Sequence, residues 1–327
     1  MIKLPHRRQV LHLAAGAAAL PFAPHVARAQ AYPTRPVRII VGFAAGGTTD
    51  IISRLIGQWL SERLGQQFVI ENRPGASGNL AAEAVARAPA DGYTLLALTA
   101  TNSINATLFD KLSFNLNRDL AMVAGLSRSP LVLEVHPSVP AKTVPEFVAH
   151  AKANPAKVTM ASFGSGSTSH VAGELFKMMA GVDLVHVPYR GSGPMLTDLL
   201  GGQVHMTFDS LPSSIEYIRT GKLRALAVAA TTRSDSLPDI PTVADYFPGY
   251  DASAWNGVAI PRNTPAEIVD KLNREINAGL ADPKMKARIA ELGATVIPSS
   301  PGEFGRFVSD EIEKWGKVVK FAGIKPD

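Results

Sequence analysis

The order of apolar and polar positions along the chain predicts strands that alternate with helices. The first apolar run, Val37–Val41, is short and rich in β-branched residues, so it predicts a buried strand. Apolar residues then recur at helical spacing over residues 51–64, and Gly65 is a helix stop signal. Further strands are predicted at residues 68–70 and 93–98.

The second half of the chain repeats this strand–turn–helix unit. Residues 157–162 predict a strand, residues 163–169 a turn rich in glycine and serine, and residues 171–180 a helix. More strands are predicted at residues 184–187, 204–208 and 224–229, and C-terminal helices at residues 268–280, 284–292 and 304–321. This alternation is typical of an α/β fold.

Two halves rich in βαβ units predict two domains, with the second inserted between pieces of the first. Domain 1 is expected to comprise residues 30–102 and 224–327, and domain 2 residues 103–223. The chain is expected to cross between them near residues 100–105 and 220–224. A length of 327 residues fits two domains of ordinary size after an N-terminal signal.

Residues 1–29 have the three parts of an export signal. They carry basic residues but no acidic ones, an apolar stretch at residues 10–22, and an Ala-Arg-Ala cleavage pattern that ends at Ala29. The pair Arg7-Arg8 also resembles a twin-arginine signal. The apolar stretch is too short to cross a bilayer of about 30 Å, and no later segment is a candidate span. We therefore expect a periplasmic protein, cleaved near Ala29, with no stable membrane insertion.

The signal also accounts for most of the net positive charge. Of the 33 Lys and Arg residues, four lie in the signal, which leaves 29 basic against 28 acidic residues in the mature chain. A nearly neutral chain with no basic run does not indicate a nucleic-acid partner. The chain has no cysteine, which excludes a disulfide scaffold, an iron–sulfur cluster, a thiolate zinc site and a cysteine nucleophile.

Two glycine-rich turns are candidates for ligand binding. Residues 42–50 (Gly-Phe-Ala-Ala-Gly-Gly-Thr-Thr-Asp) and residues 162–170 (Ser-Phe-Gly-Ser-Gly-Ser-Thr-Ser-His) each follow a strand and open a helix. A helix start leaves backbone N–H groups unpaired and carries about half a positive charge, so it can bind an anion. A single such turn favours an ordinary connection capped by Thr or Ser, but one turn in each half favours ligand binding.

Arg190 and Asp209 are further candidates because each follows a predicted strand at its carboxyl end, where open α/β sheets bind ligands. Arg190 can clamp a carboxylate with two hydrogen bonds, or be a surface arginine in a loop of Pro and Gly. Asp209 can meet an amino or hydroxyl group of a ligand, or pair with Arg190. The sequence leaves these alternatives open.

Catalytic and cofactor motifs are absent from the sequence. No G-x-S-x-G elbow surrounds Ser167, so a serine hydrolase is not indicated. Residues 164–169 match only part of a dinucleotide-binding motif, and the histidines lack the spacing of a metal site. We expect no cofactor, no metal and no catalysis, with an enzyme that acts on a small organic acid as the alternative.

Five longer motifs cover essentially the whole mature chain: YPTRPVRIIVGFAAGGTTD, VIENRPGASGNLAAEAVARAPADGYTLL, FGSGSTSHVAGELFK, VPYRGSGPMLTDLLGGQVHMTFDSLPSSIEYIRTGKLRALAV and PDIPTVAD. Together they resemble the periplasmic substrate-binding components of tripartite tricarboxylate transporters, the Bug group abundant in β-proteobacteria. The resemblance implies a type 2 periplasmic-binding-protein fold with a ligand cleft between two α/β domains. It also implies a monomeric receptor that delivers a small mono- or dicarboxylate to a membrane transporter, with a ligand sensor as the alternative.

The resemblance implies, in addition, that the ligand carboxylate is held largely by backbone amides, hydroxyls and bridging waters. Matched to the motifs, the contacts are Phe43, Ala44, Ala45 and Gly46 in domain 1, and Ser165, Gly166, Ser167 and Thr168 in domain 2. Thr101, Arg190 and Asp209 are expected on the side of the site that varies with the ligand. Many relatives have proline where this chain has Ala45, so we expect the first turn to differ in shape.

Overall fold

The computed structural model describes residues 32–109, 111–321 and 323–325, and this part of the chain alternates strands with helices. The strands are β1 Val37–Val41, β2 Phe68–Asn72, β3 Thr94–Thr99, β4 Leu120–Val135, β5 Thr159–Ser162, β6 Val185–Pro188, β7 Met206–Ser210, β8 Arg224–Val228, β9 Ser253–Pro261 and β10 Thr295–Val296. The helices are α1 Thr48–Leu64, α2 Asn79–Ala86, α3 Ala100–Leu108, α4 Leu116–Asp119, α5 Val144–Ala153, α6 Thr168–Ala180, α7 Ser192–Leu200, α8 Leu211–Arg219, α9 Ala266–Ala281, α10 Pro283–Glu291 and α11 Pro301–Phe321.

The strands follow the order β2-β1-β3-β9-β4-β7-β5-β6, and β8 and β10 also pair with β4. The pairs β1–β2, β1–β3, β5–β6 and β5–β7 are parallel, as the βαβ pattern predicts. The strands β4 and β9 are antiparallel to each other and lie between the two parallel regions. We call the side with β1, β2, β3 and β9 the first lobe and the side with β5, β6, β7 and β8 the second lobe. The prediction of a two-domain α/β fold is confirmed.

The long strand β4 belongs to both lobes. Its residues 120–130 pair with β9, and its residues 131–135 pair with β7 and β8. The strand β8 therefore joins the second lobe, although the sequence placed residues from 224 onward in domain 1. The first part of β4 likewise pairs in the first lobe, although residues 103–223 were expected in domain 2. The limits of the domains themselves stay a prediction.

The cores lie on the faces of these sheets. Along β1, Ile39 packs in a cluster with Ile52 of α1, while the next residue, Ile40, packs on the opposite face with Phe304 of α11. Successive side chains of a strand point to opposite faces, so a strand covered on both sides needs a continuous apolar run. Each fully buried isoleucine contributes about 1.5–3 kcal/mol of transfer free energy. Truncation of Ile39 to alanine therefore removes support for the strand that carries the first turn.

No helix in the described ranges combines the length and apolarity needed to span a bilayer. Residues 1–29, on which the prediction of an export signal rests, lie outside the described residues.

Candidate functional site

The candidate site is a small cavity between the two lobes, which we call the inner cavity. Its volume of about 30 Å³ is enough for about two water molecules. The residues around it come from turns, helix starts and β9: Phe43, Gly47, Thr48, Thr49, Thr99, Ala100, Thr101, Phe163, Thr168, Ser192, Ser210, Ala254, Trp255 and Asn256. Aromatic rings and hydroxyl groups thus form its wall.

Five helices begin at the inner cavity. They are α1, α3, α6, α7 and α8, whose first residues or N-caps Thr48, Ala100, Thr168, Ser192 and Ser210 all line it. Each helix start places unpaired backbone N–H groups there and adds about half a positive charge. None of the lining side chains is basic or acidic. The arrangement therefore favours an anion through backbone dipoles and hydroxyl groups, without a formal charge on the protein.

Asp50 fixes the shape of the first turn. The Gly46 N–H donates to Asp50 Oδ2 at 3.1 Å, and Arg54 donates to both carboxylate oxygens at 3.0 and 2.9 Å. Asn72 Nδ2 bridges Asp50 Oδ1 and the Phe43 carbonyl, each at 3.0 Å. Burial acts to raise the pKa of Asp50, but the hydrogen bonds from Arg54, Gly46 and Asn72 outweigh it and lower the pKa. An ionised carboxylate thus holds the turn rigid.

The second turn is held by side chains of its own helix. The Gly166 N–H donates to His170 Nδ1 at 3.0 Å, and the His170 N–H donates to Ser167 Oγ at 3.2 Å, which caps α6. The His170 ring stacks on His186 with ring centroids 3.9 Å apart. The Ser165 carbonyl accepts a hydrogen bond from Ser77 Oγ of the first lobe. This turn is therefore both rigid and in contact with the opposite lobe.

The predicted ligand contacts fall into three groups. The residues that line the inner cavity are Phe43, Thr101 and Thr168. The residues that lie beside it, in the two turns or behind the wall, are Ala44, Ala45, Gly46, Gly166, Ser167 and Asp209. Ser165 and Arg190 lie farther out, where they line a separate, outer cavity. The amides of Gly46 and Gly166 already donate within their own turns, so the exposed backbone N–H groups belong to the helix starts that follow.

Sequence reasoning missed several wall residues. Thr48 and Thr49 lie in the first candidate turn but were not among the predicted contacts, and Ser192, Ser210 and the β9 residues 254–256 line the cavity without having been named. The sequence does contain a pattern that points to Ser192, because Ser192 follows Gly191 after a predicted strand, just as Thr48 follows Gly47. No such pattern marks the β9 residues.

Arg190 belongs to an outer cavity of about 500 Å³, which opens on the far side of Phe43 and Phe163. These two aromatic residues line both cavities, and their rings meet edge to face with centroids 6.0 Å apart. The side chain of Arg190 is exposed, while its carbonyl accepts a hydrogen bond from the Ala44 N–H at 2.9 Å. Arg190 thus helps to hold the lobes together through its backbone.

Asp209 lies behind the inner cavity, with the hydroxyl group of Ser192 between them, and none of its surface is exposed. It accepts hydrogen bonds from Ser192 Oγ at 2.7 Å and from Ser213 Oγ at 2.6 Å. Burial raises its pKa to about 6, although the hydrogen bonds from Ser213, Ser192 and the Ser210 backbone oppose the rise. Among the ion pairs of the described residues, none joins Asp209 to Arg190, so the alternative of a direct pair does not match this arrangement.

A larger cavity of about 380 Å³ lies where β4 crosses between the lobes, and Arg128, Pro130, Arg233 and Asp235 are among its lining residues. Ala290 and Gly293, at the C-terminal end of α10, also line it. The charges of Arg128 and Arg233 are balanced by those of Asp235 and Asp251, and the C-terminus of α10 adds a partial negative charge, which disfavours a carboxylate. The inner cavity is therefore the better anion site despite its smaller volume. Within the ranges described, no three His, Asp or Glu side chains are grouped to hold a metal ion.

Known proteins resemble this chain over most of its length. The model described as the tripartite tricarboxylate transporter family receptor matches residues 52–324. BugT of Bordetella pertussis is 37% identical over 300 residues, which cover 91% of this chain and 92% of BugT. Rpa4515 of R. palustris, solved with adipate, has a TM-score of 0.88 at 41% identity and covers 90% of this chain and 100% of its own. MatC from Rhodopseudomonas palustris with bound malate has a TM-score of 0.84 at 35% identity, with 88% and 100% covered.

Proposed function

The chain belongs to the receptor family of tripartite tricarboxylate transporters, and on that premise we propose that it captures a small organic carboxylate in the inner cavity. The observation that carries the proposal is the convergence of five helix starts on a cavity without charged side chains. Backbone N–H groups at helix starts are natural partners of a carboxylate. The ligands of Rpa4515 and MatC, adipate and malate, support this ligand class.

The two lobes hold the carboxylate by closing on it. The starts of α3 and α6, at Thr101 and Thr168, offer their backbone N–H groups to the carboxylate. Phe43, Phe163 and Trp255 form an apolar wall that excludes water. Water exclusion strengthens each hydrogen bond to the anion because the local dielectric constant falls. The bond from the Ala44 N–H to the Arg190 carbonyl joins the lobes beside the cavity.

The proposed contacts follow from these positions. Phe43, Thr101 and Thr168 contact the ligand directly, and Ala44, Ala45, Gly46, Ser165, Gly166 and Ser167 shape the turns that aim the helix starts. Arg190 reaches a ligand only where its distal end extends past the aromatic pair, and Asp209 acts through Ser192. The structural support is their arrangement around the two cavities.

We further propose how the protein operates in the cell. A signal at residues 1–29, with a twin-arginine pair, takes it to the periplasm and is cleaved near Ala29. The mature monomer binds its ligand without turnover and delivers it to the membrane subunits of a tripartite transporter. The family match to a transporter receptor supports this role over an enzyme.

A ligand screen of the mature protein tests the proposal. Residues 30–327 are titrated with mono-, di- and tricarboxylates while thermal unfolding and tryptophan fluorescence are recorded, because Trp255 lies in the cavity wall. A true ligand at a hundredfold excess over its Kd is expected to raise the unfolding free energy by about 2.7 kcal/mol. Neutral sugars are the control. A shift with a sugar and with none of the carboxylates, or consumption of a bound acid, would contradict the proposal.

A further inference from the structure

A chain of hydroxyl groups runs from one lobe to the other behind the inner cavity. Ser192 Oγ, at the start of α7, donates to Asp209 Oδ1 at 2.7 Å, and Ser213 Oγ, in the first turn of α8, donates to Asp209 Oδ2 at 2.6 Å. Thr48 Oγ1, at the start of α1, donates to Ser213 Oγ at 3.3 Å. Thr48 and Ser192 both line the inner cavity, so the chain begins and ends at the ligand site.

The carboxylate of Asp209 sets the direction of every hydrogen in this chain. A hydroxyl group has one hydrogen and two lone pairs, whereas an ionised carboxylate only accepts. Ser192 therefore gives its hydrogen to Asp209, and Ser213 does the same. Because Ser213 has no second hydrogen to give, Thr48 must donate to Ser213. Ser192 and Thr48 consequently offer the cavity lone pairs rather than hydrogens.

Protonation of Asp209 at Oδ2 leaves this polarity in place. The protonated oxygen then donates to Ser213 Oγ, and Ser213 passes its own hydrogen to the Ser210 carbonyl, which lies 2.7 Å away. Ser192 still donates to Oδ1, and Thr48 still donates to Ser213. With the proton on Oδ2, Ser192 and Thr48 therefore still offer acceptors to the cavity, as they do beside the ionised carboxylate.

The inner cavity therefore has two kinds of hydrogen-bonding surface. The helix starts of α1, α3 and α6 offer N–H donors, while Thr48 Oγ1 and Ser192 Oγ offer acceptors. These acceptors lie where α7 meets the start of α1, since a Cβ placed on Gly47 would be 3.7 Å from Ser192 Oγ. A ligand that satisfies both surfaces needs a carboxylate and, next to it, a hydrogen-bond donor.

We propose that this protein selects carboxylates that carry a hydrogen-bond donor on the neighbouring carbon, which are the 2-hydroxy and 2-amino acids. Asp209 is the positioning residue for this selectivity, because it fixes Ser192 as an acceptor without touching the ligand. The inference rests on the proposed function, since it requires the ligand carboxylate to occupy the inner cavity.

Three acids with one carbon skeleton test the proposal. Succinate, malate and aspartate differ only in the group at carbon 2, which is hydrogen, hydroxyl or ammonium. Their dissociation constants with the mature protein are measured by isothermal titration calorimetry, with both enantiomers of malate and aspartate. Either malate or aspartate is expected to bind at least about tenfold more tightly than succinate, as one well-made hydrogen bond allows. Whichever of malate and aspartate has the lower dissociation constant shows whether the preferred donor is a hydroxyl or an ammonium group.

Variants of the hydroxyl chain test the role assigned to Asp209. Ser192→Ala removes the acceptor, and Asp209→Ala lets Ser192 rotate, so both are expected to reduce the preference over succinate to less than about threefold. Asp209→Asn is the conservative control. Its side-chain oxygen still accepts from Ser192 while its amide donates to Ser213, so the preference is expected to return. Thermal unfolding of each variant confirms that it is folded.

The outcomes separate this inference from the proposed function. Tight binding of succinate with no gain for malate or aspartate overturns the inference and leaves the carboxylate receptor standing. An unchanged preference in folded Asp209→Ala and Ser192→Ala proteins also overturns it. If no carboxylate of any kind binds, the proposed function fails together with the inference.

Discussion

Glu134 of β4 is an acidic side chain held where water cannot reach it. It has no exposed surface, and neither of its carboxylate oxygens has a hydrogen-bond partner among the described residues. Ser214 lies nearby without forming a bond of normal geometry. Burial raises the pKa of Glu134 well above its ordinary value, and the neighbouring carboxylate of Asp209 raises it further. The folded state therefore binds a proton that the unfolded state releases.

This proton makes stability depend on pH. Because the pKa of Glu134 is raised in the folded state, its favourable contribution is complete below pH 4.5, its ordinary value, and is lost as pH rises toward the folded-state pKa. The wild-type protein is expected to lose up to about 1.4 kcal/mol of unfolding free energy per pH unit relative to Glu134→Gln. Urea unfolding of both proteins from pH 5 to 9 measures this difference. Glu216→Gln, at an exposed glutamate, is the control, and parallel curves for wild type and Glu134→Gln would contradict the assignment.

The helix α1 and the turn before it act as one unit because Asp50 connects them. Its carboxylate is buried, whereas its partner Arg54 has 53% of its side chain exposed. The bonds to Gly46 and Asn72 are therefore the ones that hold the turn, while the bond to Arg54 is partly shared with water. Rigidity of the turn at the start of α1 thus depends on one side chain.

Asp50→Ala is expected to lower the unfolding free energy by about 2–4 kcal/mol, because three neighbours lose their common acceptor. It is also expected to weaken carboxylate binding, since the turn that aims the start of α1 becomes loose. Arg54→Ala is the matched control and is expected to cost only about 1 kcal/mol, because exposed ion pairs contribute little. Urea unfolding and ligand titration measure both effects. Equal losses in the two variants would show that the ion pair, and not the turn, is what matters.

The sequence analysis did not predict β4 and β9, the two strands that join the lobes. In β4, Gly125, Arg128 and Pro130 interrupt the apolar pattern, and proline normally argues against a central strand. Pro130 is tolerated because it lies where β4 leaves β9 and begins to pair with β7 and β8. The parallel strands and their helices were predictable, since local spacing encodes them. The part of the cavity wall that β9 forms, which includes Trp255, was not predictable, because only long-range strand pairing brings it to the site.

The contact between the lobes depends on glycines at the start of α7. A Cβ on Gly191 would lie 2.9 Å from the Ala44 nitrogen, and a Cβ on Gly193 would overlap the Ala45 carbonyl oxygen. Both neighbours are backbone atoms of the opposite lobe, so they cannot move aside as a flexible side chain can. The absence of side chains here lets the lobes meet closely enough for the Ala44–Arg190 hydrogen bond.

Gly193→Ala is expected to act as a wedge that keeps the lobes apart. Its backbone lies in a helix and suits alanine, so stability should change by less than about 1 kcal/mol. Carboxylate affinity should fall at least about tenfold, and the radius of gyration with ligand should remain that of the free protein. Titration and small-angle X-ray scattering measure the two effects. Gly305→Ala is the control, because Gly305 lies in α11 and a Cβ there would have nothing within 4 Å. Similar affinities of the two variants would contradict the prediction that the methyl group at residue 193 keeps the lobes apart.

The narrowness of the inner cavity has a kinetic consequence. Its volume of about 30 Å³ is smaller than a four-carbon acid, so such an acid fits between Phe43, Phe163 and Trp255 only when the lobes move apart. Entry and exit must therefore wait for the lobes to separate. The residence time of a bound acid is then bounded by the frequency of opening, so a partner that separates the lobes would control the moment of release.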